Sequence, residues 1–110
     1  MKGQSPVFVK SEAFMIWLLN HTAAFPKHER FRLAKRMDDA LFDLHKALMQ
    51  ATYRANTQDW LREADIQLQY LRAYFRLALE LRYTTPDQFH FVAEQLDEIG
   101  RLIGGWGKKA

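Results

Sequence analysis

Cysteine is missing altogether from this chain. That excludes disulfides, cysteine-held metals and a thiol nucleophile. Glycine is scarce, and apart from Gly3 none precedes Gly100. No glycine-rich loop is therefore available to cradle a phosphate. Period-two alternation is also lacking over any useful length, so strands are not expected. The longest apolar run, Ala13 to Leu19, falls well short of the ~20 residues a membrane span needs. The first residues do not follow the charged, apolar, small-residue succession of a secretory signal. A cytoplasmic protein without membrane attachment is the expectation.

Catalytic constellations are lacking too. The histidines are His21, His28, His45 and His90. Metal sites in helical bundles use Glu-x-x-His pairs on facing helices. Here the nearest matches are Asp87 with His90 and His90 with Glu94, all in one segment. The adjacent acids Asp38-Asp39 and Asp97-Glu98 would diverge by about 100° on a helix, so neither makes a converging dyad. No enzyme, metal or cofactor is expected.

What is present is helical periodicity. Ala34, Met37, Leu41, Leu44, Leu48 and Ala51 step by three and four, with Ala40 and Ala47 beside them. Leu61, Ala64, Leu68, Leu71, Phe75 and Ala78 repeat the pattern, and so do Phe89, Val92, Leu96, Ile99 and Ile103. Such seams mark helices that pack against one another. Helices are expected over about 11–24, 27–54, 58–82 and 86–103. Ser11 is a candidate first cap, with Ser5-Pro6 a rival start. Thr85-Pro86-Asp87-Gln88 has the chemistry of a helix start. Gly104-Gly105 reads as the end of the last helix, with Trp106 free to fold back and Lys108-Lys109 as a tail. At 110 residues, 48% hydrophobic and 26% charged, the chain suits one domain over 1–110 rather than a disordered segment. The fold expected is all-α, an antiparallel up-down-up-down four-helix bundle.

Charge is unevenly spread. The net value is only +3, but Phe25 to Arg36, FPKHERFRLAKR, carries Lys27, Arg30, Arg32, Lys35 and Arg36 against the single acid Glu29. Asp87 to Glu98 has acids and no Lys or Arg. One side suits an anion or an acidic partner; a solvated surface is the plainer alternative. Along the third helix, Arg72 and Arg76 share a face beside Tyr70 and Tyr74, with Arg82 and Tyr83 at its end. Aromatics beside basic groups suit single-stranded nucleic acid; tyrosines packed in an interface are the structural alternative. Tyr70, Tyr74, Leu77 and Leu81 also form a second apolar strip, which suits either a second neighbour, including another subunit, or a wide core-facing stripe.

FPKHERF, the run Leu71-Arg72-Ala73-Tyr74-Phe75-Arg76-Leu77-Ala78 and the ending LDEIGRLIGGW together resemble the Avd-like proteins. These are accessory variability determinants of diversity-generating retroelements. They sit in a wider four-helix-bundle family that includes proteins encoded in intervening sequences of bacterial 23S rRNA genes. The resemblance runs from about Val9 to Trp106. It implies a homopentameric, basic barrel that binds the element's reverse transcriptase, supports mutagenic cDNA synthesis and contacts RNA or DNA. Arg72 and Arg76 match arginines of the family's third-helix pattern and become candidate contacts to partner or nucleic acid. Lys27 and Arg30 match the basic segment in kind, and Arg32, Lys35 and Arg36 extend it. Phe25 and Pro26 look structural. A nucleic-acid-binding bundle without a reverse transcriptase, or a purely structural oligomer, are the alternatives.

Overall fold

The structure, a computed structural model, describes residues 5–110. Among them are four α-helices and no strand. They are α1 (Pro6–Ala23), α2 (Leu33–Tyr53), α3 (Thr57–Glu80) and α4 (Pro86–Lys109), with a 3₁₀ turn at Lys27–Glu29 between the first two. The four pack as a bundle of 41 × 25 × 24 Å. Among the described residues, no helix is long and apolar enough to cross a membrane.

The seams read from the sequence are the core. Met37, Leu41, Leu44 and Leu48 of α2 are buried, as are Leu61, Ala64, Leu68, Leu71, Phe75 and Ala78 of α3 and Val92, Leu96, Ile99 and Ile103 of α4. Helix α1 adds Val7, Phe8, Phe14 and Leu18. The most extensive helix pairing is α2 with α3. Buried alanines at 34, 40, 47 and 51 on one helix and 64 and 78 on the other let their axes approach. Burying each leucine of these seams contributes on the order of 1.5–3 kcal/mol.

Cross-helix contacts fix direction. Phe8 at the start of α1 meets Trp106 near the end of α4, and His21 at its end meets Thr84 just before α4. Glu12 reaches His45, and Thr22 reaches Asp38, between α1 and α2. Gln58 reaches Gly107, and Arg72 reaches Asp97, between α3 and α4. In each pair one number rises as the other falls, so these neighbours run antiparallel.

Four boundaries differ from the spacing-based expectation. Helix α1 begins at Pro6, not near Ser11, with Ser5 extended before it. Ser11 is buried mid-helix and donates to the Phe8 carbonyl at 3.4 Å. Proline at a first turn loses only an amide that would be orphaned anyway, so Ser5-Pro6 wins. Helix α2 starts at Leu33, because Lys27–Glu29 form a separate 3₁₀ turn. Helix α3 stops at Glu80, and Arg82 takes a left-handed φ of 66°. The Tyr83 amide donates to the Ala78 carbonyl and the Arg82 amide to Leu79, the paired bonds of a Schellman end with arginine where glycine is usual.

Helix α4 departs furthest. It runs through Gly104-Gly105 to Lys109, so the glycines are not a stop and Lys108-Lys109 are not a tail. Trp106 extends the Ile99, Ile103 seam by three residues and packs on Phe8, with ring centroids 6.3 Å apart. The Gln58 side-chain amide donates to the Gly107 carbonyl at 2.7 Å. These contacts outweigh the ~1 kcal/mol that each glycine costs in a helix. At the other end of α4 the expectation and the structure agree. The Thr85 hydroxyl accepts from the Gln88 amide at 3.1 Å, and the Gln88 side chain accepts from the Thr85 amide at 2.9 Å, a reciprocal capping box.

Candidate functional site

The basic corner is built around its one acid. Glu29 is 2% exposed. Its Oε2 accepts a 2.8 Å hydrogen bond from the Tyr83 hydroxyl. Its Oε1 accepts from the Leu33 amide at 3.3 Å, at the start of α2. Arg32 Nε lies 3.6 Å from Oε1 and His28 Nε2 3.5 Å from Oε2. The Tyr83 bond, backed by the Leu33 amide and the Arg32 and His28 charges, holds the Glu29 carboxyl below its ordinary pKa although burial opposes this. The same bond, with burial, pushes the Tyr83 hydroxyl up. Glu29 thus ties the turn to the start of α2 and to the α3–α4 connection.

Between buried Glu29 and Ala34, Leu33 packs half-buried against the core while the three residues before it turn outward. Arg30, Phe31 and Arg32 are exposed, as is Lys27 before them. Lys27 and Arg30 line a depression of about 260 Å³ whose floor includes Thr22 and Asp38. Thr22 donates to Asp38 at 2.7 Å. Burial raises the Asp38 pKa, this hydrogen bond opposes the shift, and the neighbouring Asp39 adds to it. Lys35 pairs with Asp39 at 2.7 Å. Both are over half exposed, so the pair contributes about 0.3–0.5 kcal/mol. Arg36 is exposed at the start of α2. Among the described residues, no acid lies in ion-pair range of Lys27, Arg30 or Arg36.

The second set divides. Arg72 is only 29% exposed and donates to Asp97 of α4 at 3.0 Å. It links two helices, and Asp97 offsets the repulsion between Arg72 and Arg76, like charges four residues apart on one helix. Arg76 is exposed, with no acid in range among the described residues. It lies one turn before Glu80, at the same end of the bundle as the corner, where Tyr83 reaches Glu29. Tyr83 is no platform, because its hydroxyl is committed to Glu29. Tyr70 and Tyr74 stack on each other with centroids 6.3 Å apart.

The second apolar strip of α3 faces outward. Tyr70 is 48% exposed, Leu77 52% and Leu81 50%, with Tyr74 half-buried. Toward the start of α3 the same steps reach Trp60, which packs against the core, and the polar pair Glu63 and Gln67, of which Gln67 is buried. The positions lie one residue out of phase with the core seam, and of them Tyr70, Leu77 and Leu81 stand open to solvent.

His21 packs within the fold, and the paired acids diverge. His21 stacks on Trp17 at 4.7 Å and shares a 2.7 Å hydrogen bond with buried Thr84. Burial lowers its pKa. Asp38 and Asp39 go to different partners, and so do Asp97 and Glu98, which face Arg72 and Arg101. No three His, Asp or Glu side chains converge among the described residues. His90 meets Glu94 alone, at 3.4 Å.

Sequence reasoning missed Glu29 as the anchor and Phe31 as an outward ring. The signal was present: one acid amid five cations (Lys27, Arg30, Arg32, Lys35, Arg36) in FPKHERFRLAKR is the residue to suspect of an inward role. A family model described as bAvd-like matches residues 7–110. None of the curated proteins matches the chain.

Proposed function

The chain belongs to the bAvd-like family, and from that membership we propose a non-enzymatic accessory protein of a diversity-generating retroelement. It binds the element's reverse transcriptase and its RNA or cDNA in the cytoplasm and supports mutagenic reverse transcription. The family match over almost the whole chain carries this reading. Two surfaces support it.

The first is the outward seam of α3. Tyr70, Leu77 and Leu81 leave a heptad-spaced apolar strip in water, and such a strip is stabilised by another helix laid along it. Self-association into a homopentamer assigns it to a second copy. The second surface is the end of the bundle where the cations of the corner and Arg76 gather. Lys27, Arg30 and Arg36 extend into solvent without acidic partners among the described residues. Repeated around a ring, a modest +3 per chain becomes a basic rim.

Arg76 is the better probe of partner contact. Arg72→Glu would set two carboxylates against each other at Asp97 and disturb the α3–α4 packing. Arg76→Glu touches no described ion pair. Tagged protein purified from native lysate after nuclease treatment is expected to bring a reverse transcriptase with it. Arg76→Glu is expected to lose that partner while helicity and assembly stay intact. A reverse transcriptase absent from the wild-type sample, or retained in full by the variant, refutes the assignment.

The unpaired cations favour one other reading, a nucleic-acid-binding bundle with no reverse transcriptase. In that case only nucleic acid co-purifies, it is lost on nuclease treatment, and affinity falls by about 0.7–0.9 log units per log unit of salt for each phosphate neutralised.

A further inference from the structure

Phe31 is 80% exposed, more than any other large apolar side chain among the described residues. A lone surface phenylalanine is ordinary; the setting of this one is not. Its neighbours in the chain, Arg30 and Arg32, are exposed cations, with Lys27 one turn before and Arg36 one turn after.

The ring is held outward. Glu29 occupies the inward position, tied to the Tyr83 hydroxyl at 2.8 Å and to the Leu33 amide at 3.3 Å. Phe25 fills the aromatic place beneath the corner, 5.3 Å from His21 and 5.1 Å from Tyr83 between centroids. Rotating the turn to bury Phe31 would pull Glu29 out and break both anchors. The fold therefore presents one aromatic face among cations on a rigid turn.

We propose that Phe31 is a stacking platform for an unpaired base of single-stranded nucleic acid, flanked by Arg30 and Arg32, with Lys27 and Arg36 meeting phosphates. This rests on the nucleic-acid part of the proposed function and is independent of the reverse-transcriptase partnership. The occupant follows from chemistry. Every base has a π-face that stacks on an aromatic ring, and guanidinium groups add to the stack while neutralising the backbone. A duplex covers its base faces and offers only phosphates and groove edges. A protein partner would want contiguous apolar surface, which the outward seam of α3 supplies and this cation-flanked ring does not.

The test is anisotropy of end-labelled oligo(U), oligo(dT) and a mixed-sequence duplex, each about 12 nucleotides long, within the known range of single-strand site sizes. Phe31→Ala is expected to weaken single-strand binding about 5- to 150-fold. The duplex affinity and the salt slope stay unchanged, and Phe31→Trp restores binding. Loss on the RNA strand assigns the platform to RNA and loss on the DNA strand to cDNA; either supports it. Lys27→Gln with Arg36→Gln is expected to flatten the single-strand salt slope by about 1.4 log units. Single-strand affinity within about twofold of wild type in Phe31→Ala overturns the platform, taking twofold as under 0.5 kcal/mol. So does equal loss on duplex and single strand, or a wild-type protein that binds no single strand. Loss of reverse-transcriptase capture with oligonucleotide affinity intact also overturns it, and gives the ring to the protein partner instead.

Discussion

Replacing Gly104 and Gly105 of α4 by alanine together decides between two opposite accounts of the chain's end. In the structure both glycines lie inside a continuous helix and neither has a positive φ. A Cβ built on either meets nothing within 4 Å, so there is no steric penalty. Alanine is favoured over glycine by about 0.8–1 kcal/mol at a helix interior position. Both sites stand near the helix end, where fraying reduces the benefit. The pair should therefore stabilise the fold by about 1–2 kcal/mol, with the midpoint of thermal unfolding rising by about 4–8 °C for each kcal/mol. Urea titration followed by helical circular dichroism measures it. Two protein concentrations should be compared, because assembly would add a concentration-dependent term. If instead the helix stopped at Ile103 with a left-handed glycine as its cap, alanine there would cost about 1–2 kcal/mol. Destabilisation of that size refutes the continuous helix, and with it the docking of Trp106 on Phe8.

Two further outcomes follow from the same geometry. Arg82 holds a φ of 66°, so Arg82→Gly should stabilise by about 0.5–1 kcal/mol, the left-handed strain relieved less the extra chain entropy of glycine; a loss of stability in urea titration would contradict the Schellman end. The lowered pKa of His21 makes stability fall as pH drops below its ordinary value of 6.5, because the unfolded ring takes up a proton that the buried ring resists. His21→Gln can keep a hydrogen bond to Thr84 and should remove that component. Urea midpoints compared at about pH 7.5 and 5.5 test it against the ordinary histidine value, and a wild-type loss no larger than the variant's would rule it out.

The core was legible because burial imposes a period. Leu61 to Ala78 and Phe89 to Ile103 step by three and four, and a helix presents those positions on one face wherever it lies. Thr85 with Gln88 was legible as a start because a capping box is a local contact. The end of α4 was not. A glycine pair has the same composition inside a helix as after one, and the choice depended on Trp106 finding Phe8 and Gln58 finding Gly107. The charge cluster was legible as charge alone. So were the arginines of α3, which differ only through distant residues: Arg72 meets Asp97 on another helix, whereas Arg76, one turn away, meets no described acid.

By itself the sequence determined the helices, their buried faces and the family to which the chain belongs, because each is a property of periodic or local residue order. Only the tertiary structure decided which charged groups are tied into the fold and which have no acidic partner among the described residues. Glu29 is drawn inward because Tyr83, 54 positions along the chain, brings it a hydroxyl. A hydrogen bond across that separation forms only after the helices have packed. Phe31 faces water for the same reason, since the inward place on its turn is already filled.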